Sequence, residues 1–320
     1  MIRTMNTPSN VLLYSAVGDA LGMPFEQPRD EVHPDLASWD GSMVPGVGYL
    51  KLPAGTYTDD TEFSLALAES LIRMRGFVGA DVMPGYATAG DAAGIGCGGT
   101  LRRAIKNFRA TQDVTTCGLT EAPYVGSGTA MRAAPLGVMF RTSSIATLRE
   151  ICALDAGLTH NMTEAKWASF VVARTVQLLL AGLSVRSTLD ALYREDTFME
   201  GWLREDAEYV RDTLDVGGFV RDGQARSIVT TALAFLKAYP RNPTEGLIAA
   251  VKYGGDTDTR AAVLGAFYGA MPDCPPMRAD WLKTLKDSAA LRMADRELLT
   301  TYPFVGYTAT CLLTQAPPCL

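Results

Sequence analysis

The sequence predicts an all-α protein. Apolar residues recur at intervals of three and four, runs of alternating Val, Ile and Thr are scarce, and 320 residues with 48% apolar and 20% charged content suffice to bury a large core. Composition alone allows one large domain or two tightly joined halves. No internal repeat, Ser/Pro-rich linker or charge block marks a boundary, so residues 1–300 are taken as a single multi-helix domain and 301–320, with Pro303, Pro317 and Pro318, as an irregular tail.

The first helix is expected near Asn10 to Leu21, and the next at Thr61 to Met74, where Phe63, Leu65, Leu67 and Leu71 carry the apolar pattern. Thr100 to Asn107 and Ile145 to Leu154 follow. From Asn161 to Leu183, Ala168, Val171, Val172, Val176, Leu179, Leu180 and Leu183 form one broad stripe that other helices must cover. Further helices are expected at Val185 to Arg194, Gly201 to Leu214, Ala225 to Ala238, Pro243 to Tyr253, Arg260 to Ala270 and Ala279 to Leu299. Pro24 to Tyr57, Gly76 to Gly99 and Cys117 to Arg132 are expected to be irregular, and loops of that length in a compact helical domain are mobile or functional.

The net charge of −6 comes without a basic stretch able to track a phosphate backbone, which argues against sequence-independent nucleic-acid binding. The six cysteines show neither zinc-ligand spacing nor the density of a disulfide scaffold, and are expected to be free thiols in a reducing cytoplasm. Val11 to Val17 is too short and polar-flanked for a signal peptide, and Val171 to Leu183 is interrupted by Arg174 and Gln177, so no membrane association is expected.

Two acidic clusters carry the chemistry. Thr58-Asp59-Asp60-Thr61 stands where one helix begins, and Gly254-Gly255-Asp256-Thr257-Asp258-Thr259 stands where another does. Helix capping accounts for one side chain of each, with Glu62 placed to complete a capping box after Asp59. Each cluster, however, offers two carboxylates and two hydroxyls. Crowded carboxylates repel and raise one another's pKa, a cost that a divalent cation removes. An all-oxygen donor set favours Mg²⁺, Mn²⁺ or Ca²⁺ over zinc, and two metals could share the four carboxylates if the clusters meet in space.

Other segments support either a structural or a functional role. Gly22 and Pro24 suit a helix stop, whereas Glu26 just beyond it is not needed for folding and is open to catalysis or packing. Gly94-Ile95-Gly96-Cys97-Gly98-Gly99-Thr100 opens a helix, either as an anion-binding turn or as a flexible loop. Gly126-Ser127-Gly128-Thr129-Ala130-Met131-Arg132 has the same small-residue character, with Arg132 favoured as a brace between loops. His160, after Thr159, is favoured as a hydrogen-bonding fixture over a catalyst, and His33 has no helpful neighbours.

Taken together and in this order, these blocks resemble the ADP-ribosylglycohydrolase family: Gly18 to Glu26, Thr58 to Thr61, Gly94 to Thr100, Gly126 to Arg132, Thr159-His160, and Gly254 to Thr259 with the Gly265 and Gly269 spacing. The resemblance covers roughly residues 10–295, and the pairing of the two acidic clusters is its most specific part. It implies an orthogonal all-α fold with two Mg²⁺, or Mn²⁺, held by Thr58, Asp59, Asp60, Asp256, Asp258 and Thr259. It also implies Glu26 as one of an acid/base pair; for the chemistry Glu26 is the candidate for protonating the leaving group, with Asp258 or Asp60 helping to deprotonate water. The backbone at Gly94, Gly96 and Gly98 and the segment Ser127, Gly128, Thr129 would hold the diphosphate and proximal ribose, with His160 beside them.

Four positions depart from that pattern: Ser127 stands where relatives often place Asn, Val125 where one relative has an aromatic, Gly94 where some have Asp, and Arg260 where an apolar residue is usual. The implied activity is hydrolysis of the glycosidic bond between ADP-ribose and a modified acceptor, a protein side chain first. The expected partners are ADP-ribosylated protein and ADP-ribose, with nucleic acid only as a modified acceptor, and the chain is expected to be a cytoplasmic monomer. A binding or immunity protein that occludes an ADP-ribosyltransferase toxin, or a catalytically silent structural relative, is the alternative. The presence of Glu26 and all four cluster carboxylates favours hydrolysis.

Overall fold

The computed structural model describes residues 9–27, 31–46, 50–122, 125–194, 210, 212 and 219–303. The fold is all-α, as predicted. The helices are α1 (Val11–Gly22), α2 (Asp59–Met74), α3 (Gly79–Ala93), α4 (Gly99–Thr111), α5 (Ala134–Met139), α6 (Ile145–Gly157), α7 (Thr163–Leu180) and α8 (Val185–Arg194), followed by α9 (Ala225–Ala238), α10 (Pro243–Lys252), α11 (Thr257–Ala270), α12 (Ala279–Thr284) and α13 (Ser288–Thr300). The helix expected at Gly201 to Leu214 lies outside the described residues apart from positions 210 and 212, as does the tail beyond Pro303.

The core is built around α1 and α11, every residue of which is buried. They approach closely because glycines face backbone along the contact. A Cβ on Gly18 would sit 2.0 Å from the Ala261 carbonyl oxygen, one on Gly22 would sit 2.4 Å from Asp258 Cα, and one on Gly265 would sit 2.0 Å from the Tyr14 carbonyl oxygen. The Thr257 hydroxyl donates to the Gly22 carbonyl at 2.8 Å, closing the end of α1. Gly22 therefore remains a right-handed helical residue and not the left-handed C-cap that its neighbour Pro24 suggests; its lack of a side chain serves the approach of α11. Of the predicted α7 stripe, Ala168, Val171, Val172, Val176 and Leu179 are buried, while Leu180 at its end and Leu183 beyond it are half-buried.

Two stretches differ from expectation. Gly76 to Gly99, expected to be irregular, contains α3: Gly85, Gly90 and Pro84 lower its helical propensity, but burial of Val82, Met83, Tyr86, Ala87 and Ala89 outweighs them. Ala279 to Leu299 is two helices and not one, because the Lys286 amide donates to the Gly55 carbonyl at 2.9 Å and Asp287 turns the chain with a positive φ of 52°. The described residues of the other two long connections carry short 3₁₀ turns at Met23–Phe25, Pro34–Ala37 and Ser127–Thr129 and isolated bridges at Leu119 and Gly126.

Among the described residues no helix is long and apolar enough to cross a membrane. Cys97, Cys117, Cys152 and Cys274 are unbonded thiols.

Candidate active site

The two acidic clusters meet. The Thr259 hydroxyl donates to Asp60 Oδ2 at 3.4 Å, and the Thr58 hydroxyl reaches the same oxygen at 3.4 Å. Helix initiation explains why the polar groups converge. Asp59 and Asp60 occupy the first two positions of α2 and Asp258 the second of α11, so two helix N-termini point their unpaired amides and positive dipole ends at one region. Asp256 is the N-cap of α11, its Oδ1 accepting from the Thr259 amide at 3.3 Å, and Asp258 Oδ1 accepts from that amide at 2.9 Å.

The capping role expected within the first cluster is filled from outside it. No side chain of the cluster caps α2. Asp19, on α1, accepts from the Thr58 amide and hydroxyl at 3.0 and 2.9 Å and from the Thr61 amide and hydroxyl at 3.1 and 2.6 Å. In the sequence Asp19 has no role of its own within the Gly18 to Glu26 block; the available signal is that it is the one charged residue of the fully buried helix Val11–Gly22. With its cap supplied by Asp19, the α2 cluster keeps Asp59 and Asp60 for other work.

Burial raises the pKa of Asp59, Asp60 and Asp258 well above the ordinary carboxylate range, and mutual repulsion adds to it. Asp19 is the strongest charged neighbour of Asp59 and Asp60, and Glu26 that of Asp258. Asp19 is pushed up to about 6 by burial, against the opposing effect of the four hydrogen bonds it accepts. Glu26, half-buried just after the Met23–Phe25 turn, is carried to this group by the α1–α11 contact and by the Gln27 amide, which donates to the Gly255 carbonyl at 3.0 Å.

Asp60 Oδ1 is buried and has no hydrogen-bond partner. An orphaned carboxylate oxygen among raised, repelling acids is one that a bound cation would suit. The donors that meet, carboxylates and Thr hydroxyls, are all hard oxygens and fit Mg²⁺ or Mn²⁺. Among the described residues no three His, Cys, Asp or Glu side chains are already drawn into a ligand shell, so the fit lies in the donor chemistry and the orphaned oxygen.

The small-residue segments border this centre. The Ser127 hydroxyl lies 3.5 Å from Asp256 Oδ2, and the Ser127 amide donates to the Gly223 carbonyl at 3.0 Å. A Cβ on Gly96 would lie 3.9 Å from Asp59 Oδ1, while Gly94, Gly98 and Gly126 have open space at that position. Gly98 is the N-cap of α4 and is exposed, and no side chain caps the first α4 amides.

Thr129 and His160 are packed inside. The Thr129 hydroxyl donates to the Ala165 carbonyl at 2.8 Å, and His160 Nδ1 pairs with the Thr159 hydroxyl at 2.9 Å. Burial, aided by the Arg132 charge, lowers His160 to about 3, so the ring is neutral and supports Gly128 from beneath. The Gly126–Arg132 turn is fixed from within by Arg132, which donates to Asp155 Oδ2, the Gly128 and Asp155 carbonyls and the Thr159 hydroxyl. That is the bracing role expected of it.

Comparison with known proteins decides the family. The ADP-ribosylglycohydrolase family profile matches residues 9–305. The chain belongs to the ADP-ribosylglycohydrolase family. It is 30% identical over 291 residues to an uncharacterised protein of Archaeoglobus fulgidus, covering 87% of this chain and 91% of that one. It is 28% identical to the ADP-ribosyl-[dinitrogen reductase] glycohydrolase of Rhodospirillum rubrum, covering 84% and 87%, and 25% identical to the ADP-ribosylhydrolase ARH3 of Gallus gallus, covering 79% and 82%. A solved structure titled as an ADP-ribosylglycohydrolase-related protein complex superposes with a TM-score of 0.76 at 28% identity, covering 91% of this chain and 96% of that one. As a member of the family, the chain is assigned to the hydrolases.

Proposed function

We propose that this ADP-ribosylglycohydrolase releases ADP-ribose from a mono-ADP-ribosylated protein side chain in a reaction that depends on two Mg²⁺, or Mn²⁺. The observation that carries this is the meeting of Asp60 and Thr259 around a buried carboxylate oxygen without a partner. Relatives named as an ADP-ribosyl-[dinitrogen reductase] glycohydrolase and as an ADP-ribosylarginine hydrolase support a protein acceptor.

Thr58, Asp59, Asp60, Asp256, Asp258 and Thr259 would hold the metal ions. When bound, the cations would clamp ribose hydroxyls and acidify a water at neutral pH. The chain's own residues supply the rest. Cleavage at C1″ passes through an oxocarbenium-like state and needs a proton delivered to the leaving group. Glu26, half-buried and close enough to Asp258 to be its strongest charged neighbour, is positioned to deliver it. Asp60 or Asp258 takes the proton from the attacking water. The amides at the α4 N-terminus and the Ser127–Thr129 turn bind the diphosphate. Gly128 brings backbone close to the ligand over the neutral His160 ring.

The test is release of ADP-ribose from a modified protein by wild type, by Asp59→Ala and Asp256→Ala, and by chelator-treated enzyme. Each of the last three is expected to lose activity, and full activity after chelation overturns the metal requirement. Assaying Arg-, Ser- and nucleic-acid-linked ADP-ribose in parallel identifies the acceptor. Binding of ADP-ribose without turnover of any of them would replace hydrolysis with a binding role.

A further inference from the structure

Arg260 stands two positions after Asp258, within the second turn of α11, and its side chain is fully buried. Among the described residues it forms no ion pair with a carboxylate. Its Nε donates to the Thr231 hydroxyl at 3.0 Å, one terminal nitrogen donates to the Gly254 carbonyl at 2.7 Å and, more weakly, to the Ala250 carbonyl at 3.4 Å, and the other donates to the Arg221 carbonyl at 3.0 Å. A fully buried guanidinium is costly to desolvate, and every hydrogen bond that it makes goes to a neutral acceptor. The fork's effect on its surroundings lies in the groups that its donors hold.

Those donors hold the turn that aims Asp256. Gly254 and Gly255 both have positive φ, 86° and 70°, and the Gly255 amide donates to the Glu31 carbonyl at 2.7 Å. The Arg221 carbonyl that accepts from Arg260 also accepts from the Asp256 amide at 3.1 Å, and the same oxygen would lie 1.9 Å from a Cβ on Gly255. Two residues on, a Cβ at Gly223 would lie 2.6 Å from Asp256 Oδ2, and the Gly223 carbonyl accepts from the Ser127 amide. Tyr253 completes the clamp. Its ring lies under both the Arg260 and Arg221 guanidinium groups, at 5.1 and 4.8 Å, and its hydroxyl donates to the Phe219 carbonyl at 2.7 Å. One side chain thus ties the glycine turn before Asp256 to the 219–223 segment that touches both Asp256 and Ser127.

We infer that Arg260 is a positioning residue for the cation site, fixing Asp256 through the Gly254 and Arg221 carbonyls. The inference rests on the metal site proposed above. Arg260 carries charge as well as shape, and the two act in opposite directions: a nearby positive charge repels a cation, whereas an ordered Asp256 binds it better. A charge-preserving substitution separates them.

The experiment is Mn²⁺ titration by calorimetry at a temperature where circular dichroism shows each protein folded, using wild type, Arg260→Lys, Arg260→Leu and Thr231→Val. Loss of an outer contact that orients a metal ligand weakens binding about 10- to 100-fold, and that is expected for Arg260→Lys although the charge stays. Arg260→Leu is expected to weaken binding by a similar factor. Thr231→Val keeps the arginine and the packing volume but removes the acceptor of its Nε, so a smaller weakening is expected; it decides the matter if the Arg260 variants do not fold. Wild type that binds Mn²⁺ together with Arg260→Lys or Thr231→Val that binds within twofold of it overturns the positioning role. Tighter binding by Arg260→Leu shows that charge repulsion dominates and overturns it too. Wild type that takes up no Mn²⁺ overturns the metal site itself.

Discussion

The Thr259 hydroxyl lies 3.4 Å from Asp60 Oδ2, although 199 positions separate the two residues in the chain. Two helices that begin on opposite sides of most of the sequence are thereby joined through the same carboxylate whose other oxygen, Oδ1, has no partner.

Replacement of Asp60 is expected to separate folding from cation binding. In the metal-free protein, Asp60 is buried and repelled by Asp19, Asp59, Asp256 and Glu26, so the neutral Asp60→Asn leaves the unfolding temperature unchanged or raised. Saturating Mg²⁺ or Mn²⁺ stabilises the wild type by about 2.7 kcal/mol at a hundredfold excess over Kd. Asp60→Asn is expected to lose most of that gain, as measured by thermal denaturation with and without cation. An equal cation-induced shift in the two proteins would remove Asp60 from the ligand set.

Stability of the metal-free protein is expected to fall as pH rises from about 4 to about 7. Asp295, on α13, accepts from the Leu12 and Leu13 amides at 2.9 and 3.0 Å and so caps α1, and burial raises it to about 7; Asp19 is raised to about 6. The unfolded carboxylates titrate near 3.9, so over this window the folded state binds more protons than the unfolded one. The associated stability is complete below the unfolded pKa and lost as pH passes through the folded value. Urea denaturation in chelator at pH 5.5 and pH 8 should show the difference, and Asp295→Asn should reduce it. A flat or rising profile contradicts the assignment.

Arg132→Met is expected to cost about 3–5 kcal/mol, because it leaves the Asp155 carboxylate buried and uncompensated. Both side chains are fully buried, and the Tyr86 hydroxyl also donates to Asp155 at 2.5 Å. Chemical denaturation measures the loss; a change under 1 kcal/mol would show that the network is dispensable.

Two glycines near the site should respond in opposite ways to the same methyl group. Gly22→Ala drives a Cβ to 2.4 Å from Asp258 Cα and must separate α1 from α11, so it is expected to destabilise the fold by more than the roughly 1–3 kcal/mol of ordinary overpacking. Gly98→Ala meets no atom within 4 Å and sits at an ordinary φ of −58°, so its stability should stay within about 0.5 kcal/mol of wild type. Its KM for an ADP-ribosylated substrate is expected to rise if the α4 amides bind the diphosphate. An unchanged KM places the diphosphate elsewhere.

The sequence by itself determined the helices that are amphipathic or apolar throughout, such as α1 and α7, because a 3.6-residue period is a local property. It also determined the donor types of the candidate site, since Asp and Thr in tandem at two helix starts exceed what capping uses. Only the tertiary structure decided what depends on contacts between distant segments. Packing on α2 makes α3 helical despite its glycines and Pro84, and the Gly55 turn divides α12 from α13. Asp19 caps α2 in place of Asp59 or Glu62, the glycines of α1 and α11 bring Glu26 to Asp258, and Arg260 reaches past its own helix to hold the turn before Asp256. These are long-range relationships in which a buried polar group takes whichever partner the packed chain brings to it, and periodicity along one segment carries no record of that partner.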